Sequence, residues 1–335
     1  MEILELKQKV ENLALNVNSQ LHNIIDLNIN DSLVNKICSY AIDNICNTRD
    51  RAFFIKCISD ICKVNCDSIS CFLNASELLI IAIYIKDDII DDNSFRGGKK
   101  SLHLEFGLDM AILISDIFYS LSIKEVQKAN EFLQPDKLER IIKLHIDCYQ
   151  NVCFGQIIGC TLPKESYKSE IIMSHYKSLV GETYEYFSEL PLSMKENIDY
   201  LKIKRFAQLC GIASQLQNDF EDIAGDKEVI ETELLMDILY GRPNYIISLL
   251  FEELSLLNKN QIALLSSLFG CKNKEIVTEE KRDLLFKLIV DSSVLDSALN
   301  SLVNVCDEAI SILYQLRDCE GKTNLIKYMK YLKYE

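Results

Sequence analysis

The chain has 335 residues with 48% hydrophobic content, 11 Gly, 4 Pro and a formal net charge of -14. This hydrophobic content excludes a mainly disordered chain, and the scarcity of turn residues argues against an all-β or alternating β/α fold, so composition predicts an all-α protein. The negative charge argues against nucleic acid or an anionic membrane surface as the main partner, since both attract basic proteins.

Hydrophobic residues recur at helical spacing along most of the chain, with short polar breaks between them. Residues 1 to about 30 predict a first helix or two, and Asp31 with Ser32 is placed to cap the next one. Because no linker rich in Pro, Gly or Ser is present, we expect residues 1–335 to form one helical bundle domain. The later helices are predicted at about 33–45, 52–63, 75–92, 102–122, 123–133, 135–160, 165–189, 195–225, 232–253, 259–269, 278–290, 293–316 and 322–333.

The 13 cysteines are dispersed along the chain without the paired spacing of a zinc site. We therefore expect reduced cysteines that act as small apolar residues in a cytoplasmic protein. No secretory leader is visible at the N-terminus. The most apolar window, 78–85, is far shorter than the ~20 residues of a membrane span, so no transmembrane segment is predicted.

An acidic stretch, Lys86-Asp87-Asp88-Ile89-Ile90-Asp91-Asp92, ends the helix predicted at 75–92. On a helix, Asp87 and Asp91 are one turn apart, so these acids lie on roughly one side. Like charges at this spacing must be solvated, paired or bound to metal. Since Mg²⁺ takes oxygen ligands and commonly binds together with substrate phosphates, the four carboxylates Asp87, Asp88, Asp91 and Asp92 form a candidate magnesium site.

A second acidic stretch interrupts an apolar helix between residues 215 and 226. Asn218, Asp222 and Asp226 share one face, and Asp219 lies beside Asp222. If the two helices face each other with their acidic ends, we expect several metal ions to bind between them, with a diphosphate as bridging ligand. A departing diphosphate also needs cations and a hydroxyl donor, for which the candidates are Arg96, Lys177, Ser178 and Arg242.

An apolar pocket for the organic part of a substrate is predicted beside these groups. Aromatic faces can line such a pocket and stabilise a carbocation without attacking it. Gln215 lies one turn before Asp219 and is a candidate polar contact. The aromatic candidates are Tyr84, Phe118, Tyr119, Phe154, Phe187 and Phe220.

Further motifs accompany the two acidic stretches in a fixed order, namely Asn93-Ser94-Phe95-Arg96, Gly155-Gln156, Tyr176-Lys177-Ser178 and Gly241-Arg242-Pro243. Over about 46–255 the chain thereby resembles the all-trans isoprenyl diphosphate synthase superfamily. The resemblance implies an all-α bundle around a central cavity, completed by helices in 256–335. It also implies an allylic prenyl diphosphate substrate contacted by Gln156, three magnesium ions between the acidic motifs, and a homodimer.

The departures from this family pattern concern a second substrate. Chain-elongating members hold isopentenyl diphosphate with a Lys and an Arg, an upstream His, and the second Arg of an Arg-Arg-Gly. Here Arg51 is retained as a candidate contact, while the other aligned positions are Thr48, Ile80 and Gly97. The second acidic motif begins with Asn218 and resembles the metal triad of class I terpene synthases.

The main hypothesis is therefore a magnesium-dependent terpene synthase that ionises a C15 or C20 allylic diphosphate and cyclises or quenches the cation. One alternative is a prenyltransferase, which either elongates with isopentenyl diphosphate or transfers the prenyl group to another acceptor, such as a pheromone peptide. A further alternative is a non-catalytic, prenyl-diphosphate-binding subunit of a heteromer. Ala82, five residues before Asp87, is small where the family limits chain length, which predicts room for a C15 or C20 chain.

Overall fold

The computed structural model describes residues 2–45, 48–195, 199–224, 235–272 and 278–334. These residues are almost entirely helical, which confirms the predicted all-α fold class. One short antiparallel hairpin, β1 (Phe95–Arg96) and β2 (Lys99–Lys100), stands in this part of the chain. The α-helices are α1 (Glu2–Asn28), α2 (Ser32–Asn44), α3 (Asp50–Cys62), α4 (Cys66–Ile90), α5 (Leu102–Phe106), α6 (Leu108–Gln127), α7 (Pro135–Thr161), α8 (Ser169–Tyr176), α9 (Glu182–Leu192), α10 (Tyr200–Ala224), α11 (Met236–Tyr240), α12 (Tyr245–Glu252), α13 (Lys259–Leu268), α14 (Glu279–Val290), α15 (Val294–Tyr314) and α16 (Glu320–Tyr334).

Local sequence signals explain several of these boundaries. The Asp31 side chain caps α2 as predicted, because it accepts hydrogen bonds from the backbone N–H groups of Leu33 and Val34. In contrast, α4 begins at Cys66 and not near residue 75. Ile69 and Phe72 are fully buried, so packing extends the helix through the polar residues around them.

Three predicted helices are interrupted. Gly107, with a φ of 93°, separates α5 from α6 within the helix predicted at 102–122. A π-helix at Lys177–Gly181 joins α8 to α9, and such insertions are frequent near functional sites. The helix predicted at 232–253 is broken because Gly241, with a φ of 67°, ends α11 and Pro243 follows.

Helix α4 lies inside the bundle, packed against α3 and α6. Most of its buried side chains are apolar, and Leu78, Leu79 and Ile81 are fully buried. Its segment Ile69–Ile90 is long and apolar enough to cross a membrane, yet 78% of the most apolar part is buried within the protein. Core helices of helical proteins have this composition too, so the segment is weak evidence for a span.

A cavity of about 410 Å³ opens beside the C-terminal end of α4. Residues of α4, α7, α10 and the continuous segment from α8 to α9 line it. Helices α15 and α16 pack outside these walls, on α10 and on α3 respectively. The fold therefore directs the two acidic helix ends toward one cavity.

Candidate active site

The cavity brings together residues from both acidic stretches. Asp87 and Asp91 line it from α4, and Asn218 and Asp222 line it from α10. The two helix ends thus line one cavity. Arg51, Arg96, Gln156, Gln215 and Arg242, which were also predicted as site residues, line the same cavity.

Arg96 holds the first acidic stretch from the β1–β2 hairpin. Its Nε and Nη2 donate to Asp88 Oδ1 at 2.9 and 2.5 Å, and Nη2 lies 3.5 Å from Asp87 Oδ2. Asp88 is almost fully buried and does not line the cavity itself. The backbone turns sharply before and within the hairpin, with Asp92 and Gly97 in the left-handed region, which directs Arg96 back toward α4.

Arg242 neutralises the other end of the same stretch. Its Nε lies 2.7 Å from Asp91 Oδ1, and Nη2 donates to the Ile90 carbonyl at 2.7 Å. Its Nη1 contacts Cys160 Sγ at 2.5 Å. Gln156 of α7 donates to Asp87 Oδ1 at 2.6 Å. One helix, the β1–β2 hairpin and the connection between α11 and α12 therefore converge on the acids of α4.

The second acidic stretch is held by backbone groups and a tyrosine. Asp219 is fully buried and accepts hydrogen bonds from the Tyr176 hydroxyl at 2.8 Å and the Tyr245 N–H at 2.7 Å. Asp222 Oδ1 accepts from the Met236 N–H at 2.9 Å. Asp219 does not line the cavity, so its predicted role as a metal ligand finds no geometric support in this conformation.

Two acids that line the cavity, Glu221 of α10 and Asp237 of α11, escaped the sequence prediction. Asp237, in α11, lines the cavity and accepts a hydrogen bond from the Asn244 amide at 3.0 Å. It also influences the pKa of Asp222 and lies within the field of Arg242. The only sequence signal for Asp237 was its position five residues before Arg242. A helical pattern does not reveal the path of this segment.

Several predicted residues are not part of the cavity wall. Lys177 and Ser178 are exposed on the π-helix, where the neighbouring Tyr176 and Leu179 take the inward-facing positions. Of the aromatic candidates, Tyr84 and Phe187 line the cavity, whereas Phe118, Tyr119, Phe154 and Phe220 do not. Asp226 lies outside the described residues.

Burial and mutual repulsion raise the pKa values of the acids at this end. The pKa of Asp87 rises to about 7, mainly through burial and then through Asp91. Burial raises the pKa of Asp91 to about 6, although Arg242 opposes the change. Burial raises the pKa of Asp237 to about 6, and that of Asp222 rises well above its usual range. A cation bound here would relieve this repulsion.

The carboxylates fit a hard divalent cation that shares its coordination with a ligand. Asp88 Oδ2 and Asp222 Oδ2 are buried and accept no hydrogen bond within the described structure. Among the described residues, no group of three or more His, Cys, Asp or Glu side chains forms a complete metal site. Mg²⁺ commonly takes one or two carboxylates and completes its octahedron with water and phosphate oxygens, which matches this donor set.

The positions compared with the family's second-substrate site, Arg51, Ile80 and Gly97, have different surroundings. Arg51 Nη2 donates to the Tyr84 hydroxyl at 2.6 Å, and the Arg96 guanidinium lies 4.8 Å from the Tyr84 ring centroid. Ile80 is an apolar part of the cavity wall. A Cβ at Gly97 would lie 2.1 Å from the Asn44 carbonyl oxygen, so an arginine at this position requires the backbone to move.

Comparison with known proteins gives one family match. The family model for polyprenyl synthetase matches residues 32–284. A short chain isoprenyl diphosphate synthase from Methanocaldococcus jannaschii is 24% identical over 213 residues, which are 63% of this chain and 63% of the relative. A geranylgeranyl diphosphate synthase from Methanosarcina mazei is 22% identical over 77% of this chain and 76% of its own length. The chain thus spans about three fifths to three quarters of these relatives.

Solved structures share the whole fold at low sequence identity. Geranylgeranyl pyrophosphate synthetase from Pyrococcus horikoshii superposes with a TM-score of 0.84, at 19% identity over 100% of both chains. Geranylgeranyl pyrophosphate synthase from Corynebacterium glutamicum, solved with isoprenyl diphosphate and magnesium, has a TM-score of 0.86 at 15% identity, covering 98% of this chain and 99% of that one.

Proposed function

Because the chain belongs to the polyprenyl synthetase family, within the all-trans isoprenyl diphosphate synthase superfamily, we propose that it is a magnesium-dependent prenyltransferase. Its first step would be ionisation of an allylic prenyl diphosphate. The observation that carries the proposal is the pair of acidic helix ends, Asp87 and Asp91 opposite Asn218 and Asp222, at one end of a cavity. The departures from the family pattern favoured cyclisation. The names of the relatives support transfer of the prenyl group instead.

Magnesium would be held by Asp87 and Asp91 on α4 and by Asn218 and Asp222 on α10. Asp88 does not line the cavity, but resemblance to the family and its Oδ2, which accepts no hydrogen bond, support it as a further ligand. When bound, it supplies positive charge to the diphosphate oxygens and so weakens the bond between carbon and oxygen. The magnesium reported with the Corynebacterium glutamicum enzyme is consistent with this assignment. We propose three ions by resemblance to the family.

The protein's own side chains would position and neutralise the diphosphate. Arg96 and Arg242 already stand beside the acids, and each has a planar guanidinium suited to phosphate oxygens. As the allylic carbon–oxygen bond breaks, its electron pair leaves with the diphosphate, and these arginines stabilise the charge that develops. Gln156 keeps Asp87 oriented toward the site.

The rest of the cavity would protect the allylic cation. Ile83, Val152, Leu179 and Phe187 form apolar walls without a nucleophile, which excludes water until an acceptor is in place. An acceptor double bond then forms the new carbon–carbon bond, and loss of a proton completes the transfer.

A class I terpene synthase is the second candidate function, and one specific observation favours it. The positions expected to hold a second diphosphate are Thr48, Ile80 and Gly97, and Gly97 has no space for a side chain. Charge-assisted hydrogen bonds of ~1.5–3 kcal/mol each are thus missing for isopentenyl diphosphate. In this case the prenyl cation would cyclise or react with water.

One experiment separates these functions. The purified protein is incubated with Mg²⁺ and farnesyl or geranylgeranyl diphosphate, with and without isopentenyl diphosphate, and products are identified by mass spectrometry. Longer prenyl diphosphates support the transferase, whereas a hydrocarbon or alcohol formed without a second substrate supports the terpene synthase. If neither substrate is consumed, and Asp88→Ala binds both as tightly as the wild type, the catalytic proposal is wrong and a binding subunit of a heteromer takes its place.

We also propose a homodimer, which the family resemblance implies. Several large apolar side chains on α6 and α7 are exposed by 40–60%, which supports an additional partner surface there. Light scattering of the purified protein at several concentrations tests the subunit number. The residues concerned are Leu108, Ile112, Leu113, Phe154, Ile157 and Ile158.

A further inference from the structure

The cavity extends from the acidic helix ends into the apolar interior of the bundle. On α4 its lining runs from Asp87 inward to Ile83 and Ile80, a distance of roughly 10 Å along the helix axis. On the segment from α8 to α9, the lining begins at His175 and Tyr176 and ends at Phe187. Phe187 is therefore the last residue along this segment to line the cavity, among the residues that the structure describes.

Phe187 is held firmly at this inner end. Its side chain is fully buried, and its ring packs against Tyr184 and Tyr186 with centroid distances of 5.9 and 5.4 Å. Both contacts are edge-on or tilted, an arrangement that aromatic pairs prefer. A rotation of Phe187 away from the cavity would have to displace one of these two rings.

Tyr186, next to Phe187, belongs to a buried polar network and does not line the cavity. Its hydroxyl lies 2.5 Å from His145 Nδ1, and His145 Nε2 lies 2.7 Å from the Ser122 hydroxyl. Displacing Tyr186 would leave buried polar groups without partners, which carries a large free-energy cost. The neighbourhood of Phe187 is thus rigid, and a longer apolar chain cannot extend past it without breaking these contacts.

Ala82 does not occupy the corresponding place on α4. It is fully buried but does not line the cavity, and its carbonyl accepts a hydrogen bond from the Ser115 hydroxyl of α6 at 2.7 Å. Ile83, the next residue, lines the cavity instead. The prediction that Ala82 sets the room for the chain is therefore not supported by its position.

We propose that Phe187, together with Ile80 of α4, closes the inner end of the cavity and limits the length of the prenyl chain that the protein accepts. This inference rests on the proposed function, since it presumes that a prenyl diphosphate binds with its diphosphate at the acidic end. Removing the Phe187 ring extends the cavity inward, and enlarging it shortens the cavity.

The test measures binding, which is independent of the acceptor and of catalysis. Unreactive thiolodiphosphate analogues of geranyl, farnesyl, geranylgeranyl and geranylfarnesyl diphosphate are titrated calorimetrically with Mg²⁺ present. For Phe187→Ala we expect the ratio of affinities to shift at least tenfold toward the next longer chain. Phe187→Trp is expected to shift the ratio toward the next shorter chain.

Two matched variants separate chain length from general loosening of the core. Phe206→Ala removes an equally buried phenylalanine that stacks on Phe54 and does not line the cavity. Ala82→Leu tests the position on α4. Both should retain the wild-type order of affinities, and Phe187→Leu replaces Phe187→Ala if thermal melting shows that the latter does not fold.

The results for the wild type and for the variants test the proposed function and the role of Phe187 separately. If the wild type binds prenyl analogues but Phe187 variants keep its order of affinities, or Ala82→Leu changes that order, the assignment of Phe187 is overturned while the proposed function stands. If the wild type binds none of the four analogues, the proposed function fails and the inference fails with it.

Discussion

The two acidic helix ends differ in what holds their carboxylates. On α4, Asp88 and Asp91 are paired with the side chains of Arg96 and Arg242. On α10, Asp219 and Asp222 are engaged by backbone N–H groups of Tyr245 and Met236. Arginine side chains can rotate toward an incoming diphosphate, but a backbone group moves only with its segment. The α4 end is therefore arranged for exchange of ligands, whereas the α10 end also anchors the segment from α11 to α12.

The largest expected effect on activity is that of Asp91→Ala, at the α4 end. This change removes a cavity-facing carboxylate and leaves Arg242 without its ion pair, so diphosphate release should fall by about 10²- to 10³-fold or more. Stability should change little, because repulsion with Asp87 is relieved at the same time. Steady-state assays of diphosphate release and thermal melting measure both effects, with Asp92→Ala as the neighbouring control. Activity within about threefold of wild type would remove Asp91 from the catalytic group.

Asp219→Ala should show the opposite pattern. It leaves the Tyr176 hydroxyl and the Tyr245 N–H without their buried acceptor, which costs about 2–6 kcal/mol at ~1–3 kcal/mol for each donor. Urea unfolding followed by circular dichroism gives the change in stability. Asp219→Asn keeps an acceptor oxygen and should lose less. An Asp219→Ala protein as stable as wild type would contradict the anchoring role.

The raised pKa values predict a pH-dependent effect of magnesium. Burial raises the pKa of Asp87 to about 7 and that of Asp91 to about 6, so the folded protein holds protons that the unfolded chain has lost. These two groups therefore make the metal-free protein less stable as pH rises from about 4 to 7. Magnesium competes with the protons, so it should raise the melting temperature more at pH 7.5 than at pH 5.5. An equal increase at both values would show that these carboxylates do not bind it.

The smallest effect is expected at Lys177. Because this side chain is exposed and does not line the cavity, Lys177→Ala should change the specificity constant by no more than about threefold. The exposed Lys202→Ala is a matched control on α10. A loss of a hundredfold or more would mean that the π-helix rearranges on substrate binding and brings Lys177 to the diphosphate, which would restore the prediction made from the motif.

Helical periodicity accounts for what was predicted correctly in the α4 region. Asp87 and Asp91 are one turn apart at the end of an apolar helix, and that spacing alone places both on the cavity side. Helical spacing does not decide the roles of Asp219 and Lys177, which stay predictions. Each belongs to a recognisable motif, but Asp219 is covered by Tyr176 and Tyr245, and Lys177 lies in a π-helix that the apolar pattern does not reveal.

The sequence by itself determined the all-α class, the family, and the two acidic stretches with their arginines. These features depend on spacing within a helix or on short motifs, and both are local properties of the chain. Only the tertiary structure decided which carboxylates face the cavity, that Asp237 joins them, and that Phe187 and Ile83 line it whereas Ala82 does not. Those outcomes depend on contacts between distant segments, such as Arg242 with Asp91, and no local pattern encodes which distant group a side chain will meet.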